Sequence, residues 1–182
     1  MPSRVQGAAA LLVLAVASWA VAAPTAKSSK TLVVGDVSVV LDWSPGWEVD
    51  TNTAALPPSS AAFRPADATK MQALLSTGPM RDEIRTDEGV HTLVSDMALH
   101  LEEQSVEKKI EVQRVAGKSA QGYYACATDR APKAGEYKFL CQGLLKIGEK
   151  PFVFTLLYND SGKSEADKVI AAMASLALAN GA

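Results

Sequence analysis

Apolar and polar residues alternate through "GYYACATD", "EYKFLCQGLLKIG" and "PFVFTLLYND", between Gly122 and Asp160. A period of two is the mark of strands, and the intervening "RAPKAG" and "GEKP" are rich in turn formers, so the stretch reads as three consecutive antiparallel strands. A first hairpin folded about the Lys133–Ala134 bond sets Asp129 against Lys138 and Cys126 against Cys141. A second, folded about the Glu149–Lys150 bond, sets Leu145 against Phe154 and Cys141 against Tyr158. Tyr137, Phe139, Cys141, Gly143, Leu145 and Ile147 then share a face with Phe152, Phe154 and Leu156, apolar enough to be a core.

The same reading extends along the chain. "TLVVGDVSVVLDW", from Thr31, is two β-branched runs around Gly35-Asp36, a tight-hairpin pattern. "SPGWEVDTNTAALPPSSAA" reads as a long loop, and "AAFRP" and "KMQALLSTG" as short strands, although Met, Gln and Leu in the second also suit a helix. Val90, Leu93, Val94, Met97, Ala98 and Leu101 have the spacing of one helix stripe, capped by Thr86 or Asp87 and ending near Gln104. Strand returns with Ile110, Val112 and Val115. A second helix opens at Ser164, buries Ala166, Val169, Ile170, Met173, Leu176 and Ala177, and stops at Asn180-Gly181. The order is strands, helix, strands, helix: an α+β class with an antiparallel sheet.

The N-terminus alters the picture of where the chain works. Arg4 precedes an apolar run from Gly7 to Ala23, and Ala20-Val21-Ala22 has the A-x-A form of a signal-peptidase site. Residues 1–22 therefore read as a signal peptide and 23–182 as a single domain. The competing reading, a membrane anchor, is weakened by the short, alanine-rich run and by the "PTAKSSK" that follows in place of a basic cluster. The expected product is soluble and periplasmic. Removing residues 1–22 takes away Arg4 alone of the charged groups, leaving 17 of the 18 basic residues against 20 acidic ones. The bases are scattered, so nucleic-acid binding has no support.

Candidate chemistry is sparse. An exported chain meets an oxidising compartment, and Cys126 and Cys141 fall opposite each other, so a structural disulfide is expected. A redox role is disfavoured because the pair lacks C-x-x-C spacing. His91 and His100 lie nine positions apart on one helix and so on opposite faces, and no metal or cofactor site is expected. No nucleophile elbow, P-loop or dinucleotide fingerprint is present, and the chain reads as a non-enzyme. The acidic cluster Asp82, Glu83, Asp87 and Glu88 reads as a solvated helix start.

The "WSPGW" turn, the middle helix, the "GYYAC" strand, the "GLLKIGEKPFVFTLLY" hairpin and the terminal helix with "AMASLAL" together resemble the PsbP-like fold family, over roughly Thr31 to Leu178. The resemblance implies an antiparallel sheet covered by helices, an α/β/α sandwich, and a non-enzymatic binding or assembly module. The leading expectation is an exported protein whose partner is another protein, with a bacterial immunity protein that neutralises a secreted toxin as one subclass. Alternatives are a carrier of a small apolar ligand held between sheet and helix, and an enzyme built from dispersed carboxylates. The loops Ser44–Ser60 and Gly78–Glu88 are the expected recognition elements, with Trp47 and Arg81 as their candidate anchors. The competing reading for Trp43 and Trp47 is a pair of indoles closing one end of the core.

Overall fold

A computed structural model describes residues 28–50 and 56–179. The expected signal segment and cleavage site lie outside the described residues. Ten strands and two α-helices are described in the order β1 (Ser28–Val34), β2 (Val37–Trp43), β3 (Trp47–Val49), β4 (Ser60–Pro65), β5 (Met71–Thr77), α1 (Asp87–Glu102), β6 (Gln113–Ala116), β7 (Gln121–Thr128), β8 (Phe139–Ile147), β9 (Lys150–Tyr158), α2 (Lys163–Ser175) and β10 (Ala177–Leu178). Seven strands form one antiparallel sheet in the order β3-β4-β5-β9-β8-β7-β6, and β1-β2-β10 form a second, smaller sheet.

The large sheet is covered on both faces. Alternation along β8 sends Cys141, Leu145 and Ile147 to one side and Leu144 to the other. The first side joins Phe152, Phe154 and Leu156 of β9 to Val34, Val39 and Leu41 of the small sheet and to Val169, Ala172 and Met173 of α2. The second side packs Leu144, Ala125 and Ala127 against Val90, Val94 and Ala98 of α1. Helix α1 is capped by Thr86, whose hydroxyl accepts the Gly89 N–H at 3.0 Å. The result is the expected sandwich, with the small sheet added to the α2 layer.

The hairpin arithmetic meets two outcomes. In the first hairpin Cys126 faces Cys141 and the Asp129 N–H bonds the Lys138 carbonyl, the expected register. The second is displaced by two residues: Leu145 pairs with Phe152 rather than Phe154, and Cys141 with Leu156 rather than Tyr158. The cause is the loop, which contains only Gly148 and Glu149, with Gly148 at φ 59°, a backbone geometry that a side chain resists. Because the slip is even, every side chain keeps its face.

Two further elements depart from expectation. The long loop after β2 contains the three-residue strand β3, too short to leave an alternation in the sequence. The second helix starts after Gly162 with no side-chain cap, in place of Ser164, and stops at Ser175, after which Ala177 and Leu178 pair with β2 as β10. Ser175 holds the junction: its hydroxyl donates to the Ala172 carbonyl and accepts the Asp42 N–H, both at 2.7 Å.

Candidate functional site

Trp47 is placed inside the protein. Its side chain is 5% exposed, its ring lies 5.2 Å from Phe63 and 5.5 Å from Trp43, and its indole N–H donates to Glu165 at 2.9 Å. Trp43 donates in turn to the Trp47 carbonyl. An interface anchor needs an exposed ring, so the expectation of Trp47 as a surface contact is corrected: strand pairing with β4 turns the indole inward, where it closes one end of the core. Arg81 is different. It is exposed and forms only a loose ion pair with Glu83, at 3.6 Å.

The loop that carries Arg81 is anchored by a 3₁₀ turn, Asp82–Ile84, whose Ile84 is buried beneath α1. The acidic cluster at its end serves that helix start. Asp82 pairs with Arg85 at 2.9 Å, and Asp87 accepts the Tyr123 hydroxyl at 2.7 Å, which raises the phenol's proton affinity. His91 and His100 are both exposed: His91 packs edge-on to Tyr123, and His100 Nδ1 contacts the Asp96 carbonyl. Among the described residues no group of histidine, cysteine and carboxylate side chains could hold a metal ion. Cys126 and Cys141 are joined by a disulfide across β7 and β8, with Cα atoms 4.0 Å apart.

A chain of concave features lies on the α1 side of the large sheet, on the flank away from a larger hollow of about 740 Å³ between α1 and residues 108–112. Val90, Val94 and Ala98 face the sheet beneath the helix, whereas Leu93, Met97 and Leu101 lie along the flank that faces β9 and remain half-buried. On this face, among the described residues, no helix packs over the neighbouring strands β9 and β5. Their outward residues, Leu74, Val153, Thr155 and Leu157, are only partly covered, and Val153 is 43% exposed. Three adjoining hollows of about 420 to 460 Å³ follow this flank. One begins at Arg81 and Glu83, the next shares Leu93 and Asp96 with it, and the last shares Leu101 and Gln104 before reaching Phe139, Leu140 and Leu157. They form one open trough beside α1.

The far end of the trough is braced by polar contacts. Burial alone would raise the Glu107 carboxyl, but hydrogen bonds from the Ser105 and Thr128 hydroxyls and from the Thr128 N–H outweigh it and hold the group at about 2. Arg130 reaches back to the Ser105 carbonyl at 2.7 Å. On the other side, Tyr137 donates to the Ala68 carbonyl at 2.6 Å and Lys138 pairs with Asp160 at 3.0 Å. The loop between β7 and β8 is thereby tied to both neighbours. Asp67, Glu107 and Glu165, the carboxylates clearly displaced from ordinary acidity, are all displaced downward, the opposite of a general acid.

The fold is the PsbP-like one. Over 89% of this chain and 97% of the other, the structure is similar to cyanobacterial PsbP (CyanoP) from Synechocystis, with a TM-score of 0.53 at 12% sequence identity. It is also similar to the Ran-binding protein Mog1p of Saccharomyces cerevisiae, over 79% of this chain and 83% of the other (TM-score 0.47, 12% identity). LpqN of Mycobacterium tuberculosis, described as involved in cell envelope biogenesis, aligns over 85% of this chain and 92% of its own (TM-score 0.47, 11% identity). No family model matches the sequence, and no curated protein matches it. The likeness is one of fold. Among the described residues no helix is long and apolar enough to cross a membrane.

Proposed function

We propose that this protein is an exported, non-catalytic module that acts by stoichiometric contact with another protein. The observation that carries the reading is the half-covered face of the large sheet, where an apolar floor and the flank of α1 form an open trough instead of an enclosed hollow. Convergent catalytic groups do not line it, and an extended partner surface suits it better than a small ligand sealed from water. The disulfide and the A-x-A site at Ala20–Ala22 support work in an oxidising compartment outside the cytoplasm. An immunity protein that neutralises a secreted toxin is one member of this class, supported by the small size and the acidic balance. Arg81, exposed at one end of the trough, is the proposed polar contact, and Trp47 supports the scaffold from within.

The test is capture from the native envelope fraction with the tagged wild type and with Val153→Lys and Arg81→Ala. A single partner held in a fixed molar ratio, and lost from Val153→Lys, is the expected result. A partner retained equally by all three proteins would move the binding face elsewhere, and substrate turnover by the purified protein would overturn the reading.

A further inference from the structure

The uncovered strip of sheet beside the trough is about as wide as one helix. Helices packed side by side sit about 8–10 Å apart, close to the width of two strands at about 4.8 Å each. Helix α1 covers β7 and β8, so the next helix position falls over β9 and β5. Leu93, Met97 and Leu101, spaced by four, form a stripe on the flank of α1 that faces this position, and Leu74, Val153 and Leu157 supply its floor. With 16 residues, α1 offers a wall about 24 Å long.

Carboxylates outnumber bases along the rim, five against Arg81 and Lys138. Glu83, Glu88 and Asp96 border the α1 side, and Asp129 and Glu136 the far end. Lys138 is paired with Asp160 and Arg64, across the sheet on β4, with Asp50, whereas Arg81 holds Glu83 only loosely at one end.

Resting on the proposed protein-binding function, we infer that the position over β9 and β5 takes a basic amphipathic helix of the partner protein, laid alongside α1. Its apolar stripe packs on Val153, Leu157, Leu93 and Met97, and its lysine or arginine flanks meet Asp96, Glu88 and the acidic far end.

The probe is a synthetic 16-residue helical peptide with leucines on one face and Lys/Arg on both flanks, titrated calorimetrically into the disulfide-bonded protein. A second peptide carries Glu on the flanks. The basic peptide is expected to bind at micromolar concentration, at least tenfold more tightly than the acidic one. Val153→Lys on the floor and Asp96→Lys on the exposed rim should each weaken it at least tenfold. Val33→Lys on β1, 66% exposed and across the molecule, should leave it unchanged. Thermal unfolding of each variant checks the fold, and Asp96→Lys serves alone if Val153→Lys does not fold. Equal affinity for the two peptides, no binding of either, or indifference to the rim and floor variants would overturn the inference. A photo-crosslinker at position 153 in the producing cell separates this failure from that of the wider reading. Crosslinking to a loop, strand or acidic segment of a partner overturns the helix and keeps the binding module, whereas absence of any crosslinked protein together with no peptide binding overturns both.

Discussion

The indole N–H of Trp47 donates to the carboxylate of Glu165 at 2.9 Å, joining the short strand β3 to the first turn of α2. The pair couples packing to charge. Burial raises the Glu165 carboxyl, but hydrogen bonds from Lys168 and Trp47 outweigh it, so its acidity is strengthened overall. A carboxyl lowered on folding adds stability that is present above its unfolded pKa and is lost as pH falls through the folded value. Trp47→Ala should cost about 3–5 kcal/mol in denaturant unfolding. Trp47→Phe, which keeps most of the ring volume, should cost nearer 1 kcal/mol and reduce the acid sensitivity.

Glu107 should dominate acid behaviour at the far end of the trough. Its carboxyl falls from 4.5 to about 2 on folding, so its contribution is complete above pH 4.5 and disappears as pH falls toward 2. Glu107→Gln should lower stability at neutral pH by about 2 kcal/mol and flatten the stability profile between those limits. Urea unfolding across that range is the measurement. An unchanged profile would show that the bonds to Ser105 and Thr128 do not act on folding.

The disulfide closes a 15-residue separation between strands that are already paired. Replacing both cysteines with serine should cost about 2–5 kcal/mol while leaving the circular dichroism spectrum intact. The unreduced wild type should show no thiol to a labelling reagent, even when unfolded.

Gly143 is a tight point of the larger core, between aromatic side chains. It faces Tyr124 on β7 and Phe154 on β9, and an added Cβ would lie 2.3 Å from the Phe154 ring and 2.7 Å from Tyr124 Cβ. Gly143→Ala should therefore cost roughly 1–3 kcal/mol despite the better strand propensity of alanine, and Gly143→Val more. Thermal unfolding of the two variants gives the order.

The proposed export would leave a simple signature. The intact mass of protein isolated from its producing cell should correspond to a chain beginning at Ala23. A full-length precursor retained in the membrane would contradict the signal-peptide reading.

Legibility from sequence followed the range of the forces involved. Cys126 could be set against Cys141 because alternation and turn residues act locally, and the register is symmetric about Lys133–Ala134. The slip in the second hairpin came from the two-residue Gly148-Glu149 turn, which is one of several places where the turn-rich "GEKP" run can fold. Trp47 looked like a loop residue because Pro45 and Gly46 precede it, and only pairing with β4 and packing against Phe63 reveal it as core. The stripe of α1 was visible as one apolar face. Its division into Val90, Val94 and Ala98 beneath and Leu93, Met97 and Leu101 beside the trough depends on where β7 and β8 lie under it. That is a long-range fact about strand order.

The short strand β10 also bears on solubility. A terminal strand of a sheet presents unpaired peptide groups that can recruit another chain, and hydrophobic β2 would do so on one side. Ending α2 at Ser175 lets Ala177 and Leu178 occupy that side. Ala177 and Leu178 thus act as a guard against intermolecular sheet growth, and a truncation before Leu176 should promote aggregation through β2.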